Sequence, residues 1–275
     1  MDNLKLLMVA IRGALDAGEA IRIVYNKTDA EFGVELKEDH SPVTKADLAA
    51  HTIIEEALSS YDLPLLSEEG VHLTYDERKT WKRLWIVDPL DGTREFIKRN
   101  GEFTVNIALV EDQQPVLGVI YLPHQKVLYF GDVGLGAYRV DSIEKMNDSE
   151  TLDNLIASAD KLPLKQSRDG DEYVVVASRS HLAKDTQNYI DALRQVHPKM
   201  KFISVGSSIK MCWMAEGIAD CYPRLYPTME WDTAAGHAIL RSVGMDVIQF
   251  HSSLPLEYNK ENLKNPWFLI QSKSQ

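Results

Sequence analysis

The chain has 275 residues, of which 44% are hydrophobic, and a formal net charge of −11. That apolar share is enough for a core, and the length fits one large domain or two intimate ones. The acidic balance argues against general nucleic-acid binding, which needs a basic stripe, but bound metals and a few local Lys or Arg would still admit a small anionic ligand.

Leu4, Leu7, Met8, Ile11, Leu15, Gly18 and Ile21 recur at steps of three and four, which predicts an amphipathic helix of about 20 residues. Asp2, Lys5 and Arg12 interrupt this segment and no small-residue cleavage site follows, so a signal peptide is not expected. Residues 28–41 are polar and acidic and read as a loop or hairpin, with Phe32, Val34 and Leu36 alternating as in a weak strand. Thr44-Lys-Ala-Asp47 has the capping-box pattern and opens a second helix with Leu48, Ile53, Ile54, Ala57 and Leu58 on its apolar face. Leu63 to Leu66 is a short strand that leads to Glu68-Glu69, a pair that on its own reads as a solvated acidic turn. Tyr75 to Arg83 is a charged connector.

Next comes Trp85-Ile-Val-Asp88-Pro-Leu-Asp91-Gly-Thr93. Leu84 to Val87 reads as a short buried strand that Pro89 terminates, since proline cannot donate to a ladder. Asp88 and Asp91 then stand at a strand's carboxyl end, where open α/β sheets bind ligands. Two carboxylates so close repel unless a cation lies between them, and hard oxygen donors without Cys or His nearby point to Mg²⁺ rather than Zn²⁺. The same letters also make an ordinary turn. An EF-hand loop is excluded, because Val87 and Pro89 occupy the positions that need acids. Phosphatases with an aspartyl nucleophile carry Asp-x-Asp-Gly-Thr; two residues separate the acids here, which weakens that rival and leaves it open.

Gly101 to Val110 alternates through Phe103, Val105, Ile107 and Leu109. With Val116 to Leu122, Lys126 to Phe130 and Gly131 to Tyr138, it predicts an antiparallel meander packed on the early helices, an α+β arrangement. Asp141 to Ile156 is polar, and a domain boundary is placed near residue 150, dividing the chain into 1–150 and 151–275. Strands at 174–178, 202–205, 219–225, 247–250 and 267–270 then alternate with helices starting at Ser180, after Gly206 and at Trp231-Asp232, an α/β pattern. No internal repeat is visible. No apolar run reaches the roughly 18 residues of a transmembrane helix. Cys212 and Cys221, on apolar stretches, read as buried thiols, which suits a reducing cytosol. A cytoplasmic protein is expected, at most peripheral on the cytoplasmic side of the inner membrane, and monomeric or homodimeric.

Asp88-Pro-Leu-Asp91-Gly-Thr93, preceded by Leu66-Ser-Glu68-Glu69-Gly70 and followed far downstream by Trp231-Asp232-Thr-Ala-Ala235, resembles the metal motifs of the inositol monophosphatase superfamily. The likeness extends over nearly the whole chain and, through Arg94 to Leu109, is strongest to its bisphosphate nucleotidases. It implies the layered sugar-phosphatase fold shared with fructose bisphosphatase. It also implies two or three Mg²⁺ held by Glu68, Asp88, the Leu90 carbonyl, Asp91 and Asp232, with Glu69 as the neighbour of Glu68. A water polarised by Glu68, and by Thr93 paired with Asp47, would attack phosphorus in line. Gly92 and Thr93 N–H groups would hold phosphate oxygens, with Asp232 also at the substrate. Ser178-Arg-Ser-His181, Gly206-Ser-Ser-Ile-Lys210 and Tyr222-Pro-Arg224 resemble nucleotide-side elements. By that likeness His181 lies near adenine, and Ser207, Lys210 and Arg224 at the ribose side or 5'-phosphate. Without it, Ser180 is a helix cap, Lys210 a solvated helix charge, Arg224 a surface strand residue and Asp232 a helix N-terminal acid; His237 is packing. The implied activity is Mg²⁺-dependent, lithium-sensitive removal of the 3'-phosphate from adenosine 3',5'-bisphosphate, and from its sulfated form 3'-phosphoadenylyl sulfate, in sulfur assimilation or nucleotide recycling. Inositol monophosphatase or another small sugar phosphatase is the runner-up, and a non-catalytic phosphate- or metal-binding module is the alternative of a different class.

Overall fold

In the computed structural model, residues 2–28, 32–37, 42–71, 73–164, 172–179 and 183–272 are described. The first helix, α1 (Asn3–Tyr25), starts on Asp2, whose carboxylate accepts the Leu4 N–H, and buries Leu7, Ile11, Leu15 and Ile21 as their spacing requires. A small ribbon of β1 (Glu35–Leu36) and β2 (Pro42–Val43) precedes α2 (Lys45–Leu58). The chain continues through β3 (Leu65–Ser67), α3 (Tyr75–Arg78), β4 (Arg83–Asp91), α4 (Thr93–Ile97), β5 (Thr104–Glu111), β6 (Gln114–Leu122), β7 (Val127–Asp132), β8 (Gly136–Val140), α5 (Leu152–Ala157) and β9 (Asp160–Lys161). The seven strands β3 to β9 form one sheet in chain order. β3 runs parallel to β4, and each later neighbour is antiparallel.

The second half contributes β10 (Tyr173–Ser178), α6 (Lys184–Val196), β11 (Met200–Val205), α7 (Ile209–Glu216), β12 (Cys221–Arg224), α8 (Glu230–Ser242), β13 (Ile248–Gln249) and β14 (Phe268–Gln271). Its sheet has the order β11-β10-β12-β14-β13, parallel between β10 and both β11 and β12, antiparallel at β14. The strand–helix alternation therefore ends after α8.

Side-chain alternation along β5 shows how the layers stack. Val105, Ile107 and Leu109 enter a core shared with α1 and α2, whereas Ala108 and Val110 enter a second core. That second core also takes Met211 and Cys212 of α7, Ala234 and Ile239 of α8, and Val174, Val176 and Ile270 of the other sheet. Val175, Ala177 and Cys221 on the outer face of the second sheet pack with Ile190 of α6. The order is helix, sheet, helix, sheet, helix, a mixed α and β sandwich whose middle helices belong to both sheets. Cys212 and Cys221 are buried and free, and among the described residues no helix is long and apolar enough to cross a membrane.

Two local expectations are corrected. Pro89 does not end its strand. β4 runs on to Asp91 because the register shifts around the proline: Asp88 pairs with Asn106 and Asp91 with Thr104. A step of three on β4 against two on β5 leaves one extra residue, a bulge, where proline's missing N–H breaks no ladder bond. The helix expected to begin at Ser180 begins at Lys184, with Ala183 at its N-cap position; Ser180 and His181 lie outside the described residues.

α8 approaches β6 so closely that a Cβ on Gly118 would sit 2.2 Å from the Ala235 carbonyl oxygen. That oxygen is helix backbone and the next nearest atom is the Ala238 Cβ at 2.9 Å, so relief requires moving the helix. Gly118→Ala should cost about 1–3 kcal/mol, the range for overpacking, read as a lower urea midpoint; an unchanged midpoint would show that the two layers are not in fixed contact.

Candidate active site

Strand register assembles the acids. Ser67 pairs in parallel with Val87, and the Glu68 N–H bonds the Val87 carbonyl at 3.1 Å, so Glu68 leaves β3 beside Asp88. The bulge carries Leu90 and Asp91 to the same place. Gly92 follows at φ +95°, a left-handed conformation suited to glycine, and a Cβ there would meet the Glu102 carbonyl oxygen at 3.0 Å. Asp232 arrives from the other half, in the first turn of α8, where its carboxylate accepts the Met229 N–H at 2.8 Å. Glu68, Asp88, Leu90, Asp91, Gly92, Thr93 and Asp232 line one cavity of about 240 Å³, with Ser207, Lys210 and Arg224 facing them. That volume lies below the roughly 300–1,000 Å³ of sites that enclose a drug-sized ligand, so the cavity has room for a small group such as a phosphate rather than for a large ligand.

Asp47 stands behind Thr93. Its Oδ1 accepts the Thr93 hydroxyl at 3.0 Å, and its Oδ2 accepts the Thr44 N–H at 2.8 Å and hydroxyl at 2.6 Å. One carboxylate thus caps α2 and orients Thr93 at the same time. Burial pushes its pKa up to about 6, against the lowering effect of the Thr44 bonds. Glu69 is not among the lining residues; together with Glu68 it holds the Lys37 ammonium, at 2.5 and 2.8 Å respectively.

The acids burden one another. Asp88 is 1% exposed, and burial, then the charges of Glu68, Asp91 and Asp232, push its carboxyl well above the usual range. Asp91 is pushed up to about 6, chiefly by burial, with Lys210 opposing. Asp232 reaches about 8 through burial, then Asp91 and Glu68. Asp88, Asp91 and Asp232, buried so close together, cannot all ionise at neutral pH without positive charge among them. Among the described residues every candidate ligand atom is oxygen and no Cys or His lines the cavity, which fits a hard divalent cation. Among the described residues no three acid, His or Cys side chains are already closed into a metal cage. Asp88 Oδ1 takes the Leu90 N–H at 3.1 Å, the Leu90 carbonyl takes the Thr93 hydroxyl at 3.3 Å, and Glu68 is drawn to Lys37.

On the facing wall, Lys210 and Arg224 are not the solvated charges that their positions in the sequence suggest. They are 4% and 9% exposed. Lys210 Nζ donates to the Val205 carbonyl at 3.3 Å and to the Ser207 carbonyl, and burial pulls its pKa down to about 8. Arg224 Nε and Ser207 Oγ are buried without a hydrogen-bond partner among the described residues. His237 is fully buried between Tyr258, at 3.0 Å, and Asp246, at 2.6 Å, as packing requires. Sequence reasoning missed Lys37 and Asn106, and it gave no separate role to Ser208 and Tyr222 within the motifs that contain them. Lys37 sits in a featureless polar loop, and Asn106 sits in a run whose apolar neighbours define the pattern.

The family model for the inositol monophosphatase family matches residues 2–272. The chain is 42% identical over 260 residues to the 3'(2'),5'-bisphosphate nucleotidase CysQ of Escherichia coli (strain K12), covering 94% of this chain and 96% of that protein. It is 35% identical over 277 residues to the protein of the same name from Haemophilus influenzae, covering 98% and 93%. Among solved structures, CysQ from Bacteroides thetaiotaomicron superposes with a TM-score of 0.91 at 50% identity, over 99% of this chain and 98% of that one. The Thermotoga maritima IMPase superposes with a TM-score of 0.72 at 21% identity, over 98% and 92%, a likeness of fold.

The raised carboxyl pKa values set a pH dependence for the metal-free protein. A folded value above the unfolded one means that the folded state holds more protons between the two, so stability falls as pH rises through that window. For Asp232 the window runs from about 4, the ordinary carboxylate value, to about 8. Thermal unfolding in chelator should therefore show Tm declining from pH 5 to pH 8, with added Mg²⁺ restoring more at pH 8 than at pH 5. A flat Tm in chelator would mean that the acids do not strain one another.

Proposed function

We propose that this chain, which belongs to the inositol monophosphatase family, is a Mg²⁺-dependent 3'(2'),5'-bisphosphate nucleotidase that converts adenosine 3',5'-bisphosphate to AMP and phosphate. The observation that carries the reading is the convergence of Glu68, Asp88 and Asp91 from one half with Asp232 from the other, opposite the buried cations Lys210 and Arg224. Family membership sets aside the aspartyl-nucleophile rival. The metal-dependent phosphatases of this family supply the general chemistry; Mg²⁺, in two or three sites, is the ion that the oxygen donors favour.

Glu68, Asp88, the Leu90 carbonyl, Asp91 and Asp232 would hold the ions. When bound, divalent ions screen phosphoryl charge, acidify water and stabilise the departing oxygen. Glu68 is the carboxylate free to take a proton from an attacking water, once its hydrogen bond to Lys37 is exchanged. Thr93, fixed by Asp47, presents its hydroxyl oxygen to the same water. The Gly92 and Thr93 N–H groups face the phosphoryl oxygens, and no covalent enzyme intermediate forms. Lys210 and Arg224 meet the second phosphate, and Ser207 the ribose side; His181 is assigned to adenine on sequence likeness. The 3'-phosphate of 3'-phosphoadenylyl sulfate fits the same scheme. The buried free thiols suit a reducing cytoplasm.

Phosphate release from adenosine 3',5'-bisphosphate, inositol 1-phosphate and fructose 1,6-bisphosphate, with and without Mg²⁺, tests the assignment. The nucleotide should be preferred, Li⁺ should inhibit, and Ca²⁺ alone should not support turnover; preference for inositol 1-phosphate would transfer the chain to the inositol phosphatases. Asp88→Asn should abolish turnover with the fold retained. Lys210→Ala and Arg224→Ala should each lower kcat/KM for adenosine 3',5'-bisphosphate by about ten- to a hundredfold, the worth of a charge-assisted hydrogen bond. They should change 3'-AMP hydrolysis little. Equal losses on both substrates would remove these residues from the 5'-phosphate pocket.

A further inference from the structure

The turn carrying Ser207 and Lys210 is tied to Asp91 by a buried polar chain. The Ser208 backbone N–H donates to the Asp91 carboxylate. The Ser208 hydroxyl lies 2.8 Å from Asn106 Oδ1 and 2.8 Å from the Thr104 hydroxyl. Asn106 Nδ2 in turn reaches Asp91 Oδ2 at 3.5 Å. Thr104, Asn106 and Ser208 are all buried, and the bulge explains why they meet, since it pairs Asp88 with Asn106 and Asp91 with Thr104.

The direction of the chain follows from its end. An ionised carboxylate only accepts hydrogen bonds. With its amide nitrogen on Asp91, Asn106 must accept through Oδ1. The Ser208 hydroxyl spends its single proton there, so Thr104 donates to Ser208. Donation therefore runs Thr104 to Ser208 to Asn106 to Asp91. The last link is long, and the Ser208 N–H supplies a second hold on the same carboxylate.

We propose that Asn106, oriented by Ser208 and Thr104, is a positioning residue that aims the Asp91 carboxylate at a divalent cation and fastens it to the turn bearing Ser207 and Lys210. The inference rests on Asp91 being a metal ligand. Partners that orient a ligating group typically change metal affinity about ten- to a hundredfold when removed. A residue that only packs would change stability and leave metal affinity alone.

Mg²⁺ titration by calorimetry of the wild type, Asn106→Leu and Ser208→Ala separates the two. Asn106→Leu keeps the volume and removes the donor, and its Mg²⁺ Kd should rise about ten- to a hundredfold. Ser208→Ala keeps the backbone N–H and removes the orienting hydroxyl, and its Kd should rise about three- to tenfold, the loss of one neutral hydrogen bond. Wild-type Mg²⁺ affinity in both variants, even with a lowered Tm, would overturn the positioning role. If Asn106→Leu does not fold, Ser208→Ala decides alone. A wild type that binds no Mg²⁺ would overturn the metal reading of Asp91, and this inference with it, whereas tight wild-type binding with unchanged variants overturns this inference only.

Discussion

Five carboxyl groups, those of Glu68, Asp88, Asp91, Glu95 and Asp232, line one cavity among the described residues, and most of the site can be understood as the cost of putting them there. Asp88 has its nearest like charges on Glu68, Asp91 and Asp232. The protein answers with Lys37 on the outer side of Glu68, Lys210 beside Asp91, and backbone N–H donors from Leu90, Ser208 and Met229. These lessen the strain and do not remove it, as the raised carboxyl values show. A hard divalent cation has the charge and ligand preference that would.

The same constraint links the site to the fold. Glu68 is placed by a parallel strand pair, Asp91 by a bulge and Asp232 by the first turn of a helix that lies between two sheets. The two halves therefore meet at the chemistry and also share an apolar core, in which Ala108 and Ile120 of the first sheet pack with Ala234 and Ile239 of α8. Gly118 is the point where that arrangement leaves no room for a methyl group. The wall proposed to meet the second phosphate is fastened to the proposed metal side in the same way, because Ser208 stands at the N-cap of the helix of Lys210 and hydrogen-bonds through Asn106 toward Asp91.

Legibility in the sequence followed pattern strength. The long amphipathic helix, the meander and the spacing Asp88-Pro-Leu-Asp91-Gly-Thr93 were readable because periodicity and a dense motif leave few alternatives. The capping box at Thr44 and Asp47 was readable too, and its second duty toward Thr93 came only from likeness, since no local rule joins residues 46 positions apart. Pro89 misled because the rule that proline ends a strand holds for regular ladders and fails at a bulge. Lys210 and Arg224 misled because isolated cations are usually solvated, whereas here buried carboxylates and carbonyls surround them. Thr104 and Asn106 alternate with the apolar residues of β5 and look like an outward face; α8 packs over β5 and Ser208, at the N-cap of α7, bonds to both side chains, so they became an internal network.

The central claim is that the buried acids hold protons until a cation replaces them. Calorimetric Mg²⁺ titration at pH 7, repeated in buffers of different ionisation enthalpy, counts the protons released on binding. Asp232, pushed up to about 8, and Asp88, pushed well above the usual range, should together release about one proton or more, as expected when ligands must deprotonate to bind. Mg²⁺ binding with no proton release at pH 7 would contradict the account, because the carboxylates would then be already ionised without the ion.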